Sequence, residues 1–408
     1  MIRGEAENEL EWPVKAIYGL RVGVMPVRGN GRHVLVYRVL RRILRPIVKR
    51  RLSLKTREES IGKQFLLLSN HTTNWDPIII ALGITDHMYF VASEHIFSWG
   101  LPSRVIEALA SPIPIFKGAT AAGTAIEVLD RIRTGHSIAI FAEGDRSFSG
   151  RTERIEPVIG KLAKNAGVSL VTFRIEGGYL TSPRWSDTFR KGRMKAGIVN
   201  VYDPVAIQSM TVQEVNEAIR NDLYEDACLR QRIERSEYRG KNLAEHMERV
   251  LFLCPRCKAA GSMISKDDTL RCSCGLKVTV DSFGMLHGVD IPFESVTDWD
   301  MWQRKQVKSL IDLADSGIIF SDDEVNLYTI GSGHVRVFHS GGTIGMDSGN
   351  LRIGGSSFSI SSIPDMAIHG SQDLVFSCDR VNYELKSNKV FNAWKYLLLY
   401  RTTRGRDL

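Results

Sequence analysis

The run Gln64-Phe65-Leu66-Leu67-Leu68-Ser69-Asn70-His71-Thr72-Thr73-Asn74-Trp75-Asp76-Pro77 passes from an apolar strand into a helix through one polar loop. Gln64 to Ser69 has the length and bounding of a buried strand. Pro77 suits the first helical position, which makes Asp76 the expected N-cap and leaves His71 in the loop. On a continuous helix, residues five apart lie about 140° apart, so His71 and Asp76 share a face only if the chain turns between them. With that turn, the carboxylate can fold back, fix one imidazole tautomer and support the charge that a general base gains. The alternative is a capping Asp beside an unrelated loop His.

Outward from this run, short apolar segments alternate with helical patterns. Met88 to Ala92, Ile113 to Phe116, Ser137 to Phe141 and Ser169 to Phe173 read as strands, and Thr120 to Thr134 has helical periodicity. This rhythm predicts an α/β domain with a largely parallel or mixed sheet flanked by helices. Two strand ends carry chemistry. Phe141-Ala142-Glu143-Gly144-Asp145-Arg146-Ser147 offers a carboxylate, a glycine that permits close backbone approach, and a guanidinium able to grip phosphate at two points. Phe116-Lys117-Gly118 ends its strand in a second cation suited to phosphate. A polar loop with a local ion pair is the plainer reading of the first.

In order and spacing these blocks resemble the glycerolipid acyltransferase family, the PlsC-like enzymes that acylate glycerol-3-phosphate or lysophosphatidate. Asn70, His71 and Asp76 match the family's first block, including its Trp-Asp-Pro ending. Phe116 and Lys117 resemble the second, with Lys in place of Arg. Phe141, Glu143, Gly144, Arg146 and Ser147 match the third, from which Ala142 and Asp145 depart. Gly160, Leu162 and Ala163 resemble the run before the fourth block, where Ser169 to Phe173 lacks the usual proline. The resemblance covers about residues 60 to 200. It implies attack by an acceptor hydroxyl on an acyl thioester, either acyl-CoA or an acylated carrier protein. His71 would act as base and Asp76 would orient it. Arg146 and Lys117 would hold the acceptor phosphate, with Glu143, Gly144 and Ser147 shaping the site. The reaction needs no metal, and the expected product is phosphatidate, formed from a lysophospholipid acceptor.

Cys254-Pro255-Arg256-Cys257 and Cys272-Ser273-Cys274-Gly275 place two cysteine pairs on tight turns. Four thiolates so spaced suit a structural tetrahedral zinc ion, as in a zinc ribbon. Reduced thiols without metal, or iron in a rubredoxin-like site, are the alternatives. Cys228 and Cys378 read as ordinary thiols.

The 408 residues, with 43% hydrophobic and 25% charged side chains, exclude a disordered tail and a disulfide-stapled miniprotein. Lys and Arg total 54 against 46 Asp and Glu, a net +8 that favours anionic partners. The basic residues crowd into Arg28 to Arg57, interleaved with Val36, Val39, Leu40, Ile43, Leu44 and Ile47. That pattern predicts an amphipathic helix, kinked or ended at Pro46, lying on an anionic membrane surface. A helix packed on the protein with a solvated charged face is the alternative. No run reaches the ~18 apolar residues of a spanning helix, and the first thirty residues lack a secretory pattern. A cytoplasmic, peripherally membrane-associated protein is expected. Nucleic acid is a poor fit, because the basic residues do not gather around the cysteines; a zinc-dependent binding protein on this fold is the competing class.

The expected organisation is a basic N-terminal region over residues 1–59, an acyltransferase-like α/β domain over 60–250, a zinc-ribbon-like segment over 251–290, and a β-rich module over 291–408. That last module, closed by a helix near Val390 to Tyr400, resembles a pleckstrin-homology-like barrel.

Overall fold

The computed structural model describes residues 30–93, 112–115, 122–313, 317–331 and 335–406. A 23-residue helix α1 (Asn30–Leu52) leads into strands β1 (Leu54–Thr56) and β2 (Phe65–Ser69), helix α2 (Asp76–Gly83), and strands β3 (Tyr89–Ser93) and β4 (Ile113–Ile115). Helix α3 (Ala122–Arg133), β5 (Ile138–Phe141), α4 (Val158–Ala166), β6 (Ser169–Glu176), the single turn α5 (Gly178–Thr181) and β7 (Met194–Tyr202) follow. Helices α6 (Pro204–Ser209), α7 (Val212–Leu223) and α8 (Ala227–Glu234) complete this part. Its seven strands lie in the order β1-β7-β6-β2-β5-β3-β4, parallel throughout except for the antiparallel β6–β7 pair.

Why the sheet is buried on both faces can be read along β2. Phe65 and Leu67 point to one side, where they join Val48 and Leu52 of α1 and Ile79 and Ile80 of α2. Leu66 and Leu68 point to the other, with Val128 of α3, Leu162 of α4 and Ile219 of α7. A strand apolar at every position, as the Phe-Leu-Leu-Leu run is, belongs at the centre of such a three-layer sandwich. Because β1 pairs with β7 and α1 contributes to the same core, the α/β layer begins ahead of residue 60.

Helix α1 does not end at Pro46, which lies inside it. Proline is tolerated there on the exposed side of the helix, where the lost N–H bond faces water. The apolar residues of α1 also divide where a single apolar face was expected. Tyr37, Leu44, Val48 and Leu52 turn inward. Leu35, Val39, Leu40, Ile43 and Ile47 turn out, with Leu35, Ile43 and Ile47 at 62%, 57% and 60% exposure. No helix among the described residues is long and apolar enough to cross a membrane.

Beyond α8 the chain builds a four-stranded antiparallel sheet from β8 (Met263–Lys266), β9 (Thr269–Cys272), β10 (Lys277–Val280) and β11 (Leu286–Gly288). Helix α9 (Val296–Leu313) then leads to seven antiparallel strands: β12 (Phe320–Ile330), β13 (Arg336–Met346), β14 (Asn350–Ile353), β15 (Ser356–Ser359), β16 (Met366–His369), β17 (Asp373–Cys378) and β18 (Val381–Ser387). Their order β15-β14-β13-β12-β18-β17-β16 sets the first strand beside the last, and helix α10 (Ala393–Thr403) closes the chain. A third core joins this module and the cysteine-bearing sheet to Phe148, Tyr179, Leu180 and Trp185 of the α/β domain. At its centre the Phe148 and Trp394 rings stack at 4.8 Å.

Inside the last sheet, Glu384 is fully buried and receives hydrogen bonds from Arg336 and from His369, the latter at 3.0 Å. Burial alone would raise its pKa, but His369 and Arg336 outweigh burial and hold it down at about 2. A carboxyl depressed in the folded state stabilises the fold above the ordinary Glu value, about 4.3. That stability should vanish as pH falls from there through about 2. Urea midpoints of the wild type should therefore drop across that interval, and the Glu384→Gln chain should show a flatter profile.

Candidate functional site

Strands β2 and β5 are parallel neighbours in register, with Ser69 opposite Phe141. Their loops consequently leave the sheet side by side at its carboxyl edge, where open α/β sheets bind ligands. His71 follows Ser69 by two residues and Glu143 follows Phe141 by two. The main chain ties the loops together, since Ser147 N–H donates to the His71 carbonyl at 2.8 Å.

Asp76 is wholly buried. Helix α2 starts at Asp76, so the N-cap position falls to Trp75, which makes no side-chain cap bond. The expected forward cap is thus replaced by a backward one. Asp76 Oδ2 accepts from the Thr72 and Thr73 amides and lies 2.9 Å from His71 Nδ1, while Oδ1 accepts from the Thr73 hydroxyl at 2.8 Å. A carboxylate removed from water needs such a full set of donors, and the Thr-Thr step supplies it.

His71 is held on three sides. Asp76 engages Nδ1, and the Phe141 ring stacks on the imidazole at 4.0 Å. Its backbone N–H donates to Glu143 Oε1 at 2.6 Å. Nε2 makes no hydrogen bond among the described residues, and the side chain keeps 19% of its exposure. Burial lowers the His71 pKa below 6.5, with the Asp76 hydrogen bond and charge opposing. With Nδ1–H donated to Asp76, neutral Nε2 presents a lone pair outward, the arrangement a general base requires.

Glu143 bridges rather than faces outward. Its second oxygen accepts from Glu153 N–H at 2.6 Å, and burial raises its pKa well above the ordinary value. Gly144 sits at φ +69°, a conformation only glycine adopts freely, and it is exposed at the turn. Arg146 lies in the same loop, pushed down to about 10 by burial and by the neighbouring Arg184. The side chain of Ser147 is buried and engaged within the loop, donating to Arg151 O and accepting from Gly150 N–H. Ser147 therefore shapes the turn, and its hydroxyl does not face a substrate. Phe116 and Lys117 lie outside the described residues.

Several contacts of the site were not readable from the motif residues alone. Asn70 clamps β6 through two 2.8 Å bonds to Ile175, one donated and one accepted. Behind the loop, Gly178 leaves no room for a side chain, since a Cβ there would meet the Thr72 hydroxyl at 2.1 Å. Buried Arg184 pairs with Asp145 at 2.7 Å and donates to the carbonyls of Arg146, Ile368 and Gly370. Asp145, the residue that departs from the family pattern, is thereby neutralised inside the protein. Gly178 and Arg184 carry no local sequence signal, whereas the Thr72-Thr73 pair adjoins the histidine in sequence.

The four cysteines converge as a second site. Their sulfurs all lie within 4.8 Å of one another, with Cys254–Cys274 and Cys257–Cys272 both at 3.7 Å. Zn–S bonds of about 2.3 Å in a tetrahedron put sulfurs about 3.8 Å apart, so the donor set fits that ion. A further cluster, His369, Asp373 and Glu384, is an ion-pair network, since Arg336 and Lys386 occupy its carboxylates.

The protonation of His71 is directly measurable. Its ring resonances should titrate below 6.5, and Asp76→Asn should move the midpoint lower still, because burial then acts without the opposing carboxylate. NMR pH titration of ring-labelled protein reads both.

A family model described as Acyltransferase matches residues 49–176, which include His71, Asp76, Glu143 and Arg146. Among solved structures, the 1-acyl-sn-glycerophosphate (LPA) acyltransferase PlsC from Thermotoga maritima matches with a TM-score of 0.36 and 20% identity, over 47% of this chain and 86% of that one. No curated protein matches the chain. The likeness to the acyltransferase family thus spans residues 49–176.

Proposed function

We propose that this protein transfers a fatty acyl group from a thioester, acyl-CoA or acyl carrier protein, to the free hydroxyl of lysophosphatidate, giving phosphatidate. The observation that carries this reading is the His71–Asp76 pair, with Nδ1 anchored at 2.9 Å and Nε2 open at the sheet edge. Nε2 takes the proton of the acceptor hydroxyl as its oxygen attacks the thioester carbonyl. The tetrahedral adduct then collapses, the C–S bond breaks, and the thiolate recovers the proton from Nε2–H. Asp76 stabilises the imidazolium between these events without itself being protonated. Arg146, in the adjacent loop, supplies the positive charge for the acceptor phosphate, which would place the hydroxyl near Nε2.

Two further assignments accompany this reading. The cysteine cluster would hold structural zinc, all four positions filled by protein. Helix α1 would dock on an anionic membrane, and its second, outward apolar face supports this better than the basic residues alone. That face is flanked by Arg38, Arg42 and Arg45.

Acyl transfer by purified protein, with lysophosphatidate or glycerol-3-phosphate offered against acyl-CoA or acyl carrier protein, tests the reaction. His71→Ala should lower kcat by roughly 10²–10⁴-fold with the fold intact. Arg146→Ala should chiefly raise KM for phosphate-bearing acceptors. Near-native turnover by His71→Ala would exclude it as the base. Elemental analysis of freshly reduced protein should find one zinc per chain, lost in a Cys254→Ser, Cys257→Ser double variant. Sedimentation with anionic vesicles should fall on Leu35→Asp, Ile43→Asp substitution, whereas equal pelleting would remove the membrane role of α1.

A further inference from the structure

The segment between β5 and α4, the end of α7, helix α9 and the end of α10 enclose a cavity of about 610 Å³ away from Nε2 of His71. Its walls come from parts of the chain as distant as Ser149 and Arg406, yet the charge is almost all of one sign. Eight Lys or Arg line it against two acids, Glu153 and Asp300. Both acids are already satisfied. Glu153 pairs with Arg304 at 3.0 Å and Arg401 at 3.5 Å. Asp300 accepts from Arg304, Gln303 and the Trp394 indole at 2.7–2.8 Å.

The remaining cations are Arg151, Arg154, Arg220, Lys305, Lys308 and Arg406. Arg154 has a long pair of 3.5 Å to Glu156, and Arg406, 3.5 Å from Asp365, also donates to Pro364 O at 3.0 Å and to the Tyr400 hydroxyl at 3.3 Å. The side chains of Arg220, Lys305 and Lys308 make no hydrogen bond or ion pair among the described residues. Lys305 and Lys308, three apart on α9, share a face and extend towards the same space. Ordinary solvated surfaces intersperse both signs, whereas a concave site of one sign focuses potential and draws in counter-ions. Tyr224, half exposed beneath the Arg151 guanidinium at 6.0 Å, adds a flat apolar surface to the wall.

We propose that this cavity binds a small molecule carrying two or more phosphate groups, either free or as the headgroup of a lipid. Its volume lies within the range of small-molecule sites, and arginine forks match phosphate oxygens in pairs. The wall also reaches the reaction site. Glu153, gripped by Arg304 and Arg401, donates its backbone N–H to Glu143, which accepts the His71 N–H through its other oxygen. A phosphate competing for Arg304 and Arg401 would act on the segment that carries Glu153.

The test is calorimetric titration of the full-length protein with inorganic pyrophosphate and with inositol 1,4,5-trisphosphate, alongside inorganic sulfate as a simple dianion. Either phosphate compound should bind saturably. Binding should weaken by roughly tenfold or more in an Arg220→Ala, Lys305→Ala, Lys308→Ala variant, whose substitutions are all at exposed positions. It should survive in Arg220→Lys, Lys305→Arg, Lys308→Arg. Vesicles bearing phosphatidylinositol bisphosphate, with the soluble headgroup as competitor, separate the lipid source from the free one. Absence of saturable binding by every phosphate probe, unchanged affinity in the alanine variant, or sulfate binding as tightly as the polyphosphates would overturn the proposal.

Discussion

A carboxylate with no access to water governs the His71 site. Asp76 cannot be buried unless donors surround it, and the donors available are those of the five residues before it. Satisfying it bends the loop backward over the start of α2, and that bend carries His71 to the sheet edge. Removing one such partner leaves charge uncompensated in a low-dielectric environment, which makes the arrangement all-or-none. The geometry of the dyad is thus a by-product of local charge satisfaction, fixed before any substrate arrives.

The second organising contact lies behind the Glu143–Ser147 loop. Phe148 stacks on Trp394, and Arg184 ties the loop to the Gly370 turn between β16 and β17. The terminal module therefore forms part of the support of the Glu143–Ser147 loop. Arg249 adds to this junction, bonding Gln372 of the module and the Trp185 carbonyl of the α/β domain, each at 3.0 Å. Rigid positioning of His71 and Arg146 depends on such buried supports.

Much of this was legible in the sequence for definite reasons. The Phe65–Leu68 run gave a central strand because only a doubly covered strand is apolar at every position. His71 and Asp76 were identifiable because the proline fixes where the helix begins, and the cysteines because thiolate spacing on tight turns has few other uses. What escaped were interactions between distant residues of ordinary type. Arg184 stands 38 residues from Arg146, and nothing local distinguishes it from other arginines. Ser147 belongs to the motif yet turns inward, because sequence proximity to a site does not say which way a hydroxyl points. The basic helix was recognisable, but its two apolar faces were not, since periodicity shows that residues share a stripe without saying what covers it.

The shared core imposes an order on synthesis. Phe148 emerges from the ribosome well over 150 residues before Trp394, the ring that stacks on it. At roughly 5–20 residues per second this leaves an aromatic face uncovered for many seconds on a growing chain. An α/β domain that has otherwise formed its sheet and both helical layers must wait in that state. Full-length production is therefore a condition for the settled site, and chains released early would carry an adhesive surface that chaperones and proteases recognise.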